Sequence, residues 1–276
     1  MSMPMMKDGY DSELRQHPFW EELHGVVRYR ELIVQLIAKS IKTRYKRSFL
    51  GIAWTMINPF LMMIVLTLVF SGLFSFPARS YSLFVLSGLI LWNFFSQSTT
   101  AAMGDLLWSG GLIERVYFPK VVFAIAAVGT GLVNLFLAFI PFTILFVVLG
   151  AKVRLSLLFI PIPIAVLGMF TLGMALILSS AVLYFADVIP MYEIILMAWF
   201  YLTPIIYPIE MVPEPVRGLL YLNPILYPLQ TFRALWFGGE LPNTTYMLFG
   251  LATSLGTLFI GWWMFTRRSR EYANYV

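Results

Sequence analysis

The apolar positions of this chain are gathered into long uninterrupted runs. Six stretches, 48–78, 80–104, 121–151, 155–186, 194–209 and 241–266, contain no Lys, Arg, Asp or Glu. A helix rising 1.5 Å per residue needs roughly 20 apolar residues to cross a hydrocarbon core about 30 Å thick. Five of the runs meet that length; 194–209, at roughly 24 Å, is marginal. Backbone amides and carbonyls find no water inside lipid, so such runs must satisfy themselves as helices. The pattern predicts an all-α integral membrane protein with six transmembrane helices over 48–266.

The regions around these runs read differently. Over 28–47, Leu32, Ile33, Leu36, Ile37, Ile41 and Tyr45 recur at spacings of three and four, while Arg30, Glu31, Gln35, Lys39, Lys42 and Lys46 fall largely on other faces. This is a basic amphipathic helix, predicted to lie in the headgroup plane within an N-terminal segment, 1–47. Residues 203–240 hold six prolines, and two apolar pieces, 218–222 and 225–232, are parted by Asn223-Pro224. Each piece is too short to cross. They predict a re-entrant helical pair dipping in from the outer face between spans five and six, a device allowed only where protein buries the backbone or a cavity wets it. Pro161 and Pro163 signal a kink near the outer end of span four. A tight turn at 186–190 is expected to hold Asp187 and Glu193 at the interface rather than at membrane depth.

Charge sets the orientation. Of the 19 Lys and Arg, nine precede the first span. With that end cytoplasmic and six crossings, Arg115, Lys120, Arg267, Arg268 and Arg270 also fall inside, leaving Arg79, Lys152, Arg154, Arg217 and Arg233 outside. This asymmetry follows the positive-inside rule and puts both termini, including the 267–276 tail, in the cytoplasm. Composition agrees: mean hydropathy is +0.80 and 12% of residues are charged, against about a quarter in soluble domains. The net charge of +5 is thus a mark of membrane orientation, not of nucleic-acid binding. No cleavable signal is visible, so the first span is expected to direct insertion.

Several chemistries are missing. The absence of cysteine excludes thiolate metal sites and cysteine nucleophiles. No G-x-x-x-x-G-K-[ST] loop and no H-E-x-x-H occurs. A prenyl or glycosyl transferase needs clustered acids for magnesium, whereas Asp105, Glu114, Asp187 and Glu193 stand singly. Ion-coupled carriers place ionisable residues in mid-span, and these runs have none. Any transport by this chain must draw its energy from a partner. The loop from Asp105 to Lys120 mixes charge with aromatics, which suits docking on another protein and equally an interfacial aromatic belt.

Three segments carry a family resemblance. Arg44-Tyr45-Lys46-Arg47-Ser48-Phe49-Leu50-Gly51-Ile52-Ala53-Trp54, followed by Asn58-Pro59, resembles the approach to the first span in the membrane subunits of ABC-2 type polysaccharide exporters. That family serves O-antigen, capsule and wall teichoic acid export. Glu114-Arg115-Val116-Tyr117-Phe118-Pro119-Lys120 resembles its cytoplasmic coupling segment, and Asn223-Pro224 its outer re-entrant region. The resemblance covers about 28–270. It implies a bacterial plasma-membrane homodimer working with two copies of a separate ATPase, which would hold the ATP and magnesium, with no cofactor in this chain.

On the same resemblance, Glu114, Arg115, Val116, Tyr117, Phe118 and Pro119 would dock on the ATPase. The substrate would be a glycan on undecaprenyl diphosphate, and Arg44, Lys46 and Arg47 would lie where the diphosphate enters; a guanidinium fork suits that group. Phe60, Phe70, Phe74 and Trp199 are candidates to line the glycan conduit, although interfacial belts claim many of the other aromatics. Two alternatives remain open: an ABC-2 exporter of a small molecule or lipid, and a membrane enzyme acting on polyprenyl lipids.

Overall fold

The computed structural model describes residues 24–44, 46, 48–74, 77–107, 119–185, 187–239 and 243–268. Within these every regular element is helical. After a helical turn over 24–28 come α1 (Arg30–Arg44), α2 (Ala53–Leu73), α3 (Ala78–Leu107), α4 (Val121–Val148) and α5 (Pro161–Val182). Then follow α6 (Val188–Leu202), α7 (Glu214–Leu220), α8 (Leu226–Arg233) and α9 (Thr244–Arg268). Among the described residues, four helical stretches are long and apolar enough to cross a membrane: α2, α4, α9, and α5 taken with the 3₁₀ turn Leu155–Phe159 that leads into it.

The two remaining expected spans differ for physical reasons. α3 is the longest helix, at 30 residues, yet its apolar content is diluted by Ser82, Ser87, Asn93, Ser96, Gln97, Ser98, Thr99 and Thr100. It runs through the centre of the bundle against α2, α4 and α5, with eighteen of its residues buried. A helix walled by protein does not need the apolarity that lipid demands, because neighbouring helices satisfy its polar side chains. α6 has only 15 residues, but it starts six residues before the uncharged run it was expected to occupy, taking Glu193 onto its exposed surface.

Pro161 does not kink a helix, contrary to the sequence expectation. It stands at the first position of α5 with Pro163 in the same turn, where the missing N–H costs nothing and the fixed φ favours initiation. α1 also departs from a purely lipid-facing element. Leu32, Ile33 and Leu36 pack against the helix bundle, and Ile37 lies so close to Gly129 of α4 that a Cβ there would sit 2.6 Å from its Cδ1. Glycine at that position lets the amphipathic helix seat against protein.

α5 and α9 form the most intimate pair. A Cβ on Gly173 would lie 2.6 Å from the backbone nitrogen of Leu258, and one on Gly261 would strike the carbonyl of Gly173. Membrane helices associate through such small residues because lipid gives no hydrophobic drive and only close packing remains.

Between α6 and α9 the chain unwinds and is held by buried polar side chains. Asn223 knits the break between α7 and α8 to the end of α6. Its amide nitrogen donates to Thr203 Oγ1 at 2.8 Å, and its oxygen accepts from Trp199 Nε1 at 3.0 Å and from the Ile225 N–H at 3.1 Å. At the end of α8, Arg233 is 4% exposed. Its guanidinium donates to the carbonyls of Pro204, Phe84 and Ile205 at 2.6, 3.1 and 3.1 Å and to Ser87 Oγ at 3.2 Å, and stacks 3.5 Å from the Phe84 ring centroid. Gly88 makes room for this, since a Cβ there would come within 2.9 Å of Arg233 Nη2. Phe232 stacks on Phe139 at 5.6 Å, and Trp236 packs edge-on against Phe142 at 4.7 Å and Phe146 at 4.8 Å. Non-helical backbone in an apolar setting is thus enclosed by protein, as the physics of buried amides requires.

Candidate functional site

The helices α2, α3 and α4 do not meet along their whole length. Near the end of the bundle that carries α1 they leave a cleft of about 340 Å³. Its walls are unusually polar for surroundings this apolar: Thr55 and Asn58 from α2, Asn93 and Gln97 from α3, and Asn134 from α4, with Ser48 and Arg44 at the α1 end. Trp54 and Phe94 supply aromatic surface beside them. Gly131 sets the helix spacing, because a Cβ there would collide with Ser98 Oγ and come within 3.1 Å of the Phe94 ring.

The electrostatics point the same way. Arg44 Nη1 donates to Gln97 Oε1 at 3.5 Å, a long bond, and its charge also acts on the Asp105 carboxyl near the end of α3. The Asn134 side-chain oxygen is buried without a hydrogen-bond partner, and so is Ser98 Oγ. An unpaired buried polar atom costs about 1–3 kcal/mol, a cost that folding alone gives no reason to keep. Amides and hydroxyls on a cleft wall can both donate to and accept from a polyhydroxylated ligand, and a guanidinium at its mouth suits an anionic group.

The structure brings together only some of the sequence candidates. Arg44 reaches the cleft, whereas Lys46 stands exposed in the turn after α1. Arg47 and Glu114, Arg115, Val116, Tyr117 and Phe118 lie outside the described residues. Pro119 is described and sits against the helical turn over 24–28, where a Cβ on Gly25 would meet its ring. The neighbouring Lys120 is half-buried, and that burial pushes its ammonium down to about 8.

Phe60, Phe70, Phe74 and Trp199 do not share one wall. Phe60 packs partly buried on α2. Phe70 and Phe74 stack on each other at 5.8 Å, and Phe74 continues to Tyr81 at 6.1 Å. Trp199 is braced between Phe95 at 5.2 Å and Phe170 at 6.2 Å while bonded to Asn223. The residues that sequence reading missed are Asn93, Gln97 and Asn134. Being uncharged, they vanish inside runs defined by the absence of charge; the available signal was an amide recurring within otherwise apolar spans.

A helical bundle with several membrane-length apolar helices and a polar, cation-mouthed cleft among them is a membrane permease in build. The chain belongs to the ABC-2 type transporter family, whose profile matches residues 31–237. It is 28% identical over 251 residues, 90% of this chain and 96% of the relative, to the O-antigen export system permease protein RfbA of Myxococcus xanthus. It is 30% identical over 247 residues, 88% of this chain and 94% of the relative, to the protein of the same name from Klebsiella pneumoniae. Against the capsule polysaccharide export inner-membrane protein CtrC of Neisseria meningitidis serogroup A the identity is 21% over 242 residues, 82% of this chain and 88% of the relative.

Proposed function

We propose that this chain is the membrane subunit of an ATP-driven exporter moving an undecaprenyl-diphosphate-linked polysaccharide, of the O-antigen or teichoic acid type, outward from the cytoplasmic face. The observation that carries the reading is the alignment of 90% of the chain with an O-antigen export permease. The amide-lined cleft with Arg44 at its mouth supports it, since that chemistry matches sugar hydroxyls beside a diphosphate.

In this reading α2, α3, α4, α5, α6 and α9 cross a bacterial plasma membrane, α7 and α8 dip in from the outer side, and both termini are cytoplasmic. Two copies pair to form the conduit and work with two copies of a separate ATPase that binds ATP and magnesium. Glu114, Arg115, Val116, Tyr117, Phe118 and Pro119 dock on that ATPase. Arg44, Lys46 and Arg47 receive the diphosphate, and Phe60, Phe70, Phe74 and Trp199 contribute to the glycan path once two copies meet. The chain holds no cofactor of its own.

The test is copurification of the full chain with its ATPase, followed by ATP-dependent translocation in proteoliposomes. Arg115→Ala with Tyr117→Ala is expected to abolish ATPase capture while leaving the elution volume of the permease unchanged. Capture at the wild-type level would overturn the docking assignment, and uphill transport by the permease alone would overturn the motor-driven reading.

A further inference from the structure

We propose that a second cavity, at the opposite end of the bundle from α1, binds the phosphate of a lipid headgroup. About 640 Å³ of space lies between the start of α3, the loop after α4 and the turn after α8. Three cations line it, Arg79, Lys152 and Arg154, and among the described residues no Asp or Glu does. The remaining wall is largely aromatic, with Tyr81, Phe84 and Trp236 among it.

The cations are set in place by local backbone geometry. Gly150, at φ +73°, closes α4: its N–H donates to Val147 O at 2.8 Å, and the Ala151 N–H to Phe146 O at 3.1 Å. This left-handed cap is open to glycine at little cost, and a Cβ here would come 3.2 Å from Arg79 Nη2. Gly239, at φ +67°, does the same after α8, and the Arg154 guanidinium lies over it while donating to the Gly238 carbonyl. Ser156 Oγ donates to Leu235 O at 2.9 Å, fastening the loop that carries Lys152 and Arg154 to that turn. Arg154 thus spends one donor on position and keeps the others for a ligand.

Three like charges around one cavity repel each other, and no carboxylate among its described lining residues relieves them. An anion with several acceptor oxygens does so, and Arg pairs with phosphate through its fork. The position at the ends of α2 and α4, where apolar helix gives way to loop, is the level of lipid headgroups. The aromatic and apolar walls favour an amphiphile over a free inorganic ion. Two sources supply that chemistry: an anionic phospholipid, or the phosphate of a polyprenyl carrier leaving the protein.

The native chain has no cysteine, so a single Ser80→Cys at the rim accepts one fluorophore as a local reporter. Full-length protein in neutral detergent is titrated with dihexanoyl phosphatidylglycerol, dihexanoyl phosphatidylcholine, farnesyl diphosphate and inorganic phosphate. Saturable binding of phosphatidylglycerol about tenfold tighter than phosphatidylcholine, lost by about tenfold in Arg79→Gln/Lys152→Gln, identifies a phospholipid site. The same loss with farnesyl diphosphate alone identifies the carrier as the ligand. Single Lys152→Gln, an exposed position, gives an intermediate loss if the double variant fails to fold. Equal affinity for all four probes, tightest binding of inorganic phosphate, or affinities unchanged by the substitutions would overturn the proposal. No ATPase enters the assay, so its failure leaves the exporter reading intact.

Discussion

At the scale of single residues, burial and pairing separate those that hold the fold from those kept for something else. Asn134 is the clearest of the second kind, a half-buried amide on the wall of a cleft whose buried oxygen has no partner. Replacing such a group with an apolar one of similar size removes an unmet desolvation cost. Asn134→Leu is therefore expected to leave stability equal or slightly higher in equilibrium unfolding, while ATP-driven export falls at least about tenfold. Lost stability with export retained would make it a packing residue. Lys120 gives a pH-dependent signature. Its ammonium is depressed from 10.5 to about 8 by burial, so the neutral, nucleophilic amine dominates above about 8, where an ordinary lysine is almost wholly protonated. Acylation of Lys120, followed by peptide mass mapping, is expected to rise with an inflection near 8, while a lysine at its ordinary value inflects near 10.5.

At the scale of elements, three devices join the helices: small-residue contact, an aromatic cluster and a buried cation. Gly261→Ala would thrust a methyl into the Gly173 carbonyl; overpacking of this kind costs about 1–3 kcal/mol. It is expected to lower the thermal midpoint of the detergent-solubilised protein, whereas Gly256→Ala, with open space around it, leaves the midpoint unchanged or raises it. Arg233 supports the unwound segment after α6 through the carbonyls of Pro204 and Ile205, and ties it to α3 through that of Phe84. Arg233→Ala removes the donor to the Pro204 and Ile205 carbonyls and is expected to cost about 3 kcal/mol or more. Protease accessibility over 203–212 should rise first, because the α6–α7 link loses its anchor while α5 and α9 keep theirs. Gly88→Ala should reproduce a milder form of the same defect by displacing the guanidinium.

At the scale of the whole molecule, the bundle has two chemically different ends. The α1 end presents an amide cleft with Arg44 at its mouth, and the opposite end presents an aromatic cavity ringed by Arg79, Lys152 and Arg154. α2 and α6 remain largely uncovered, with Leu61, Val65, Leu68 and Val69 exposed on one and Met191, Ile194, Ile195 and Met197 on the other. In a bilayer such faces meet lipid or another copy, and they need no further explanation. α3 contributes lining residues to both cavities.

Hydrophobic run length determined the class of this protein before any contact was known, because an uncharged run of twenty-odd residues has only the helix as a way to satisfy its backbone in lipid. The break at Asn223-Pro224 was legible for a similar reason: an Asn-Pro pair interrupts a helix whatever surrounds it. The start of α6, the role of Pro161 as initiator and the seating of α1 on Gly129 were not legible, since each depends on which neighbour arrives. Above all, the amides of the cleft come from three successive helices, from positions more than thirty residues apart in the chain. Only tertiary packing places Asn58, Asn93 and Asn134 on one cavity and surrounds Arg233 with carbonyls, because local sequence encodes how a segment satisfies itself and not which polar groups from other segments will face it.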